Sequence, residues 1–400
     1  LQGVRNPGVT VEQLDMAFFG DHPDVPPYLP HPDDDKPHLV ERIEANTAWV
    51  MSGAPWPELD EDKAAADELR QGRGDLRTLS DAELLERARR IRPMLQHLFE
   101  QHVVSGSSAA AAPGILAAVG EAIGDPSIPM KILAGIGDVD SALPSHALWA
   151  LSRAVRADEG LSAAFDAGVE GILERIAALD TQASKSFISD WDSFIEEFGS
   201  RGPNEWDIVA DTWETKPELA LAALDRVRLQ GEDESPQARH DAAVAQREAV
   251  TSEVRGKVAD DEELAGMLEA ALTVSAMMAY RERTKTTIVK AIHEARMTFR
   301  ELGRRHGEAG DVAEPEHVFM LLESELDDFV AHPASFRDTL SQRAEDYAAL
   351  WEVEPPFNIR DGELPPLSQW EGRSTQDSRP ADALPRAPVR QKGEGDSTGP

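Results

Sequence analysis

The 400-residue chain is acidic, with a formal net charge of -34, and 41% of its residues are hydrophobic. This length allows two or three domains or one large helical domain, and the apolar content supports a core. The charge disfavours nucleic acid and anionic lipid as partners, and the absence of cysteine excludes disulfides and thiolate metal sites. No apolar run approaches the roughly 20 residues of a membrane span, and the N-terminus has no signal-peptide pattern. We therefore predict a cytoplasmic protein without a nucleic-acid or membrane partner.

Residues 1–60 form a Pro- and Asp-rich arm in which proline disfavours regular helix. A short helix is predicted from His38 to Met51. The arm also carries four aromatic residues, so we predict that it packs on the rest of the protein: Phe18, Phe19, Tyr28 and Trp56. The chain begins with Leu1 rather than Met, and we expect either a processed N-terminus or a piece of a longer chain.

From residue 61 to residue 352 the pattern is helical. Ser80 and Glu83 have the spacing of a capping box, and apolar residues then recur at three- and four-residue steps. A Gly/Ser/Ala stretch at 105–114 is predicted to break this helix, and the longest helix is predicted from about Asp261 to Gly303. There is no convincing alternating strand pattern and no fixed-period repeat. We predict an all-α, multi-helix, bundle-like domain around a long central helix.

The C-terminal part divides in two. Residues 353–370 are extended in pattern but carry Phe357, Ile359 and Trp370, which predicts a docked linker. Residues 371–400 have no aromatic residue and are rich in Pro, Gly, Ser and charge. Such a segment buries too little apolar surface to offset the entropy of ordering, so a disordered tail is predicted.

Motifs for nucleotide and metal chemistry are missing from the sequence. There is no G-x-x-x-x-G-K-[ST], no G-x-G-x-x-G after a strand and no H-E-x-x-H. The histidines are scattered, and the one loose group, His22, His31 and His38, is better explained as loop residues than as metal ligands. We assign no catalytic, cofactor-binding or metal-binding residue to this chain.

The segment SRGPNEW, residues 200–206, joins two predicted helices and is unusually specific for a connection. The guanidinium of Arg201 could hold a carboxylate or phosphate of a ligand, or Glu205 could be its internal partner. Trp206 and Trp213 could likewise cover a ligand or plug a helix junction. Both alternatives predict a tightly specified junction.

The predicted central helix carries eight Arg or Lys against three Glu between residues 281 and 305. At about 100° per residue, Arg281, Lys285, Arg296 and Arg300 fall within a sector of roughly 100°. Two interpretations are open: a solvated face neutralised by neighbouring acids, or a stripe that meets a phosphate-bearing or acidic partner.

Several segments together resemble one family. The sequences FIEEFGSRGPNEWDIVADTWETKPELALAAL, AYRERTKTTIVKAIHEARMTFRELGRR and EPEHVFMLLESELDDF are similar to the central helical region of phosphoenolpyruvate (PEP) synthase-like and rifampin phosphotransferase-like proteins. The resemblance extends from about Phe18 to Trp370 and is strongest at Gly199–Trp206, Tyr280–Lys285 and Leu302–Phe319.

Such PEP-utilising enzymes combine an ATP-grasp domain, a helical substrate-binding domain and a swivelling domain with a phosphohistidine. The resemblance implies that this chain is the substrate-binding part, without its ATP-grasp and phosphohistidine domains, which would act in cis on a longer chain or in trans. ATP and Mg²⁺ are implied for the full dikinase-type enzyme and none for this chain, which is not expected to be active alone. The implied partner is a small organic phosphoryl acceptor.

The candidate substrate-binding residues come from the two segments that carry the resemblance most strongly, together with the nearby second tryptophan: Arg201, Glu205, Trp206, Trp213, Arg281 and Lys285. The alternative function is a non-catalytic helical binding or partner module derived from the same family.

Overall fold

The computed structural model describes residues 37–136, 140–355 and 365–373, without the side chains of residues 37–40, 42 and 43. The predicted arm before residue 37, with His22 and His31, lies outside the described residues, and so do Phe357, Ile359 and the predicted disordered tail beyond residue 373. The proposed division of the chain into four parts therefore stays a prediction.

The all-α prediction is confirmed: helices dominate the described residues. The helices of the first half are α1 (Pro37–Met51), α2 (Glu58–Gln71), α3 (Asp81–Ala109), α4 (Ala111–Ala122), α5 (Ile128–Leu133), α6 (Leu143–Ala157), α7 (Glu159–Asp166), α8 (Ile172–Ala178) and α9 (Gln182–Phe198). The helices of the second half are α10 (Glu218–Arg228), α11 (Pro236–Val258), α12 (Glu262–Ser275), α13 (Met277–Ala309), α14 (Leu326–Ala331) and α15 (Arg337–Leu350).

Short 3₁₀ turns and one strand pair complete the described structure. The 3₁₀ turns are Leu76–Thr78, Asp140–Ala142, Glu232–Glu234, Pro315–Met320, Glu323–Glu325, Pro333–Phe336 and Leu367–Gln369. Strands β1 (Val353–Glu354) and β2 (Glu371–Gly372) pair antiparallel, with Val353 opposite Gly372. This pair ties the first two residues of the predicted tail, Glu371 and Gly372, back to the start of the predicted linker after α15.

Helix α3 begins as the sequence predicts. The Ser80 hydroxyl accepts from the backbone N–H of Glu83, and the Glu83 carboxylate accepts from that of Ser80 at 2.7 Å. The predicted break at 105–114 is narrower than expected, because α3 continues to Ala109 and only Ala110 separates it from α4.

The prediction of a single helix from Asp261 to Gly303 is wrong in one respect, because the structure has two helices that meet at Ala276. The N–H of Ala276 bonds to the carbonyls of Thr273 and Val274, which tightens the last turn of α12. On the two sides of this break, α12 packs on α4 and α13 packs on α3. The predicted long central helix is α13.

Helices α3 and α13 form an antiparallel pair at the centre. Leu84 and Leu302 share one apolar cluster, and Ala109 and Met277 share another at the opposite end. Between them, Ile91 and Leu98 pack on α13. Two satellite cores lie to the sides, one within α6–α10 and one among α4, α5, α11 and α12.

The stretch Asp81–Ala122 contains an 18-residue window of mean hydropathy 1.5, of which 33% is buried. By length and composition alone it is apolar enough to cross a membrane, so the expectation that no run approaches this threshold is wrong. In the structure, Leu116 and Val119 of this stretch pack against α5, α11 and α12. The absence of a membrane partner stays a prediction.

Gly303 marks the closest approach between α13 and the turn Pro315–Met320. A Cβ at this position would overlap the carbonyl oxygen of Pro315 and lie 2.9 Å from Cγ2 of Val318. We expect Gly303→Ala to lower the free energy of unfolding by roughly 1–3 kcal/mol through overpacking, measured by urea denaturation.

Gly256→Ala in α11 is the matched control, because a Cβ there meets nothing within 4 Å. It should stabilise the protein by roughly 0.5–1 kcal/mol, since alanine is the better helix former. Equal effects of the two substitutions would contradict the close packing of α13 against the 315–320 turn.

Candidate functional site

The middle of α13 is buried on all sides although it carries charge. Residues 287–296 are all buried, and four of them are ionisable: Lys290, His293, Glu294 and Arg296. A buried charge is strongly destabilising unless it is paired and hydrogen-bonded. The partners of these four side chains therefore determine which segments surround the helix.

Arg296 holds the connection between α9 and α10 by its backbone. Its guanidinium donates to the carbonyl oxygens of Glu205 (3.1 Å), Asp207 (2.7 Å) and Ile208 (3.1 Å). The fourth contact is to Nδ1 of His293 at 3.1 Å. Arg296 is fully buried, so it is not part of an exposed basic stripe, and the stripe interpretation is wrong at this position.

His293 links Arg296 to a second set of ion pairs. Its Nδ1 accepts from Arg296, so Nε2 carries the proton and donates to Glu214 at 2.9 Å. Burial is the main reason that the pKa of His293 falls to about 4, although Glu214 opposes the shift. Glu214 also pairs with Arg70 and Arg73.

The other two buried groups are paired as well. The Glu294 carboxylate accepts from Arg87 at 2.8 Å and lies 3.3–3.4 Å from Arg70 and Arg73. The Lys290 ammonium donates to Asp67 at 2.5 Å and to Glu197 at 3.1 Å. These contacts attach α2, α3 and the end of α9 to the central helix.

The backbone of the connection is closed by its own hydrogen bonds. The N–H of Trp213 donates to the carbonyl of Arg201 at 2.8 Å, and that of Glu214 donates to the carbonyl of Gly199 at 2.9 Å. Gly202 allows the first and the last part of the connection to approach each other, because a Cβ there would lie 2.6 Å from the backbone oxygen of Asp211. The junction is as tightly specified as its sequence predicts.

Four of the six candidate residues lie together. Nε of Arg201 is 2.9 Å from one oxygen of Glu205, and Nζ of Lys285 is 3.1 Å from the other. Trp206 follows Glu205 and is 37% exposed. The structure thus shows the internal Arg201–Glu205 pair that the sequence left as one alternative.

The remaining two candidates differ in their surroundings. The side chain of Arg281 is 46% exposed and pairs with its neighbour Glu282 at 2.8 Å, one turn of α13 before Lys285. Trp213 instead stacks on Phe194, 5.5 Å between ring centroids, and packs against the α6–α10 core. It is not brought to the group around Trp206.

Two residues that were not predicted from the sequence, Phe99 and His102, contact Trp206 in this region. The Trp206 ring lies 5.8 Å from that of Phe99 and 5.4 Å from that of His102, both on α3. Phe99 is exposed and His102 is half-buried. Their three-residue spacing places them on one face of α3, but nothing in the sequence shows that this face meets Trp206. We call Phe99, His102, Trp206, Arg281 and Lys285 the aromatic–basic surface.

The hydrogen bonds around Thr284 favour one tautomer of His102. The hydroxyl of Thr284 donates to the carbonyl of Arg281 at 2.9 Å, and that of Ser105 donates to the carbonyl of His102 at 3.0 Å. Since both protons are used, Nδ1 of His102 donates to Oγ1 of Thr284 at 2.9 Å. In this tautomer Nε2 keeps its lone pair.

Electrostatics keep His102 neutral at pH 7. Burial first, and then the nearby cations Arg281 and Lys285, lower the pKa of His102 below its usual value. A neutral imidazole with a free nitrogen can accept a proton, and cations beside it can hold an anionic group.

The pKa of His293 predicts a pH dependence of stability. Because its folded pKa of about 4 lies below the ordinary 6.5, the unfolded state binds more protons between these values, and stability falls as pH decreases through this window. We expect His293→Gln to destabilise the protein at pH 7, with a difference from the native chain that shrinks by about 2 kcal/mol at pH 5.

Urea denaturation at both pH values measures this difference. Substitution of the exposed His332 by Gln is the control and should leave the pH dependence of the native chain unchanged. Parallel pH profiles for His293→Gln and the native chain would contradict a buried, neutral His293.

Comparison with known proteins agrees with the predicted resemblance over the middle of the chain. Residues 101–282 match the family of the rifampicin phosphotransferase fourth domain. This stretch includes His102, the whole α9–α10 connection and Arg281, and it ends three residues before Lys285. No curated protein matches the sequence. The match supports the resemblance predicted from the sequence: residues 101–282 are similar to the fourth domain of rifampicin phosphotransferase, the central region of a PEP-utilising enzyme family.

Proposed function

We propose that this chain is the acceptor-binding helical part of an ATP-dependent, PEP-utilising phosphotransferase, and that the aromatic–basic surface receives the acceptor. The observation that carries the proposal is the exposed Trp206, which meets the rings of Phe99 and His102 within the matched residues. Lys285, which is bound to the neighbouring Glu205, and Arg281, one turn earlier on α13, add cations to this region. Aromatic side chains close to cations can bind a ligand that has an apolar body and receives a charged group.

In this proposal the side chains of the aromatic–basic surface have different roles in binding. Trp206 and Phe99 offer ring surface to the apolar body of the acceptor. Arg281 and Lys285 are placed to hold oxygens of an incoming phosphoryl group, since guanidinium and ammonium groups bind phosphate through charge-assisted hydrogen bonds. Glu205 lies behind Lys285 and, with Arg201, keeps its position.

His102 supplies the acid–base chemistry in this proposal. The hydroxyl oxygen of the acceptor forms a bond to phosphorus, the bond between phosphorus and the phosphoryl donor breaks, and the hydroxyl proton passes to Nε2 of His102. The free lone pair on this nitrogen and its lowered pKa support this role.

ATP, Mg²⁺ and the phosphohistidine belong, in this proposal, to other domains that act in cis on a longer chain or in trans. Among the described residues, no group of three or more histidine or acidic side chains could hold a metal ion. A cytoplasmic location likewise remains a prediction.

Ligand binding tests the acceptor surface. Isothermal titration with rifampicin, and with a panel of other apolar compounds that carry a hydroxyl group, should find a ligand whose affinity falls tenfold or more in Trp206→Ala. The loss of ring contact is the reason, since one aromatic residue in contact with a ligand often accounts for more than about 1.4 kcal/mol.

Trp370→Phe is the control, because Trp370 bonds to Pro365 outside this surface. A panel in which nothing binds, or in which binding is indifferent to Trp206→Ala, would contradict the proposed surface.

Phosphoryl transfer distinguishes the enzyme from the non-catalytic module. The purified chain should not hydrolyse ATP, and mixing it with ATP-grasp and phosphohistidine domains of its family should yield phosphorylated acceptor. His102→Gln should lower that rate by about 100-fold or more and leave the affinity for the acceptor unchanged.

Acceptor binding without transfer in every such mixture would favour the non-catalytic binding module. Hydrolysis of ATP by the clean chain would contradict the assignment of the nucleotide chemistry to other domains. A His102→Gln variant that transfers at the native rate would remove His102 from the mechanism.

A further inference from the structure

A second concave site lies at the other end of α13, away from the aromatic–basic surface. A cleft of about 500 Å³ opens between the loop that follows α2, the C-terminal half of α13 and the turn Pro315–Met320. The two sites are separated by at least 12 residues of helix, from Lys285 to Met297, which correspond to about 18 Å. The volume suits a small organic molecule.

One side of this cleft is apolar. It is formed by Leu76, Met297 and Phe319. Leu76 belongs to the buried core at this end of the protein, while Met297 and Phe319 are half-buried and pack against that core. These side chains present carbon surface that a ligand could cover.

The other side carries three arginines from two elements. Arg73 belongs to the loop after α2, and Arg300 and Arg304 lie one turn apart on α13. Two acids also line the cleft: Glu301 is paired with Arg304 and Arg305, and Glu316 lies on the 315–320 turn. Cations thus exceed acids in a cleft of a strongly acidic chain.

The three arginines differ in how far their donors are used. Arg304 is bound by Glu301 and Glu308, and Arg73 by Glu214 and Glu294. Arg300 makes one hydrogen bond, from Nη2 to Asp211 at 3.1 Å. Its Nε and Nη1 have no partner among the described residues, and its side chain is 28% exposed. Arg300 is the lining arginine with donors left for a ligand.

We propose that this cleft binds a small amphipathic anion, with its apolar body against Met297 and Phe319 and its carboxylate or phosphate on Arg300. Nη2 carries two N–H groups and Asp211 takes one of them. Whichever it takes, one fork of the guanidinium stays free, Nε with Nη2 or Nη1 with Nη2, and such a fork matches either oxyanion in a bidentate arrangement. The proposal does not rest on the acceptor surface, since the two sites share no residue.

Three probes with the same ring system test this site by isothermal titration: 2-naphthoate, 2-naphthyl phosphate and the uncharged 2-naphthylmethanol. At least one anion should bind with a Kd below about 1 mM and at least tenfold more tightly than the alcohol. The comparison of the two anions identifies which oxyanion the cleft prefers.

Two substitutions with opposite expected effects separate binding from fold. Arg300→Gln should weaken the preferred anion by tenfold or more, because it removes the charge. Asp211→Asn should bind that anion as tightly as the native chain or more tightly, because Arg300 keeps its charge and loses its acidic partner. A purely structural Arg300–Asp211 pair would make both variants behave alike.

Arg255→Gln is the control for loss of a surface arginine, since Arg255 pairs with Glu269 on α12, and Trp206→Ala is the control for binding at the acceptor surface. Both should bind the preferred anion as the native chain does. Anions that bind no better than the alcohol, no binding below about 1 mM, or an affinity indifferent to Arg300→Gln would overturn the proposal.

Discussion

The structure depends on the burial of charge along one helix. Lys290, His293, Glu294 and Arg296 lie in a continuously buried stretch of α13, and each needs partners from a different segment. Removing one member of a buried pair leaves an uncompensated charge and is strongly destabilising. Helices α2, α3 and α9 and the connection that precedes α10 are therefore attached to α13 by specific ion pairs and hydrogen bonds as well as by apolar contact.

This arrangement explains how an irregular segment can hold exposed side chains in fixed positions. The connection between α9 and α10 has little regular structure, yet Arg296 and the hydrogen bonds at Gly199 and Arg201 hold it in one conformation. Trp206 is thereby presented beside α3, where Phe99 and His102 meet it. Binding side chains on a loop need such a rigid support to keep their geometry.

Local signals predicted the helical class and the capping box at Ser80, and the structure confirms both. The predicted family resemblance is supported by the match over residues 101–282. The break at Ala276 could not be predicted, because the turn contains neither Gly nor Pro and arises from the packing of α12 on α4. The basic run in α13 was misjudged for a related reason. Periodicity places Arg281 and Arg296 on one face, but only tertiary structure shows that the helix enters the core between them. The meeting of Phe99 and His102 with Trp206 is likewise a long-range contact without a local pattern.

Arg296 recognises the α9–α10 connection through main-chain oxygens only, at positions 205, 207 and 208. Every amino acid supplies the same carbonyl, so these three bonds do not depend on the side chain at 206, whereas Asp207 also accepts from the N–H of Val209. Descendants of this scaffold could exchange the side chain at 206 while the arginine stays in place. Because Arg296 binds the backbone of the loop, an exposed side chain of the loop could be substituted without loss of the loop conformation. One fold could then present different surface chemistry.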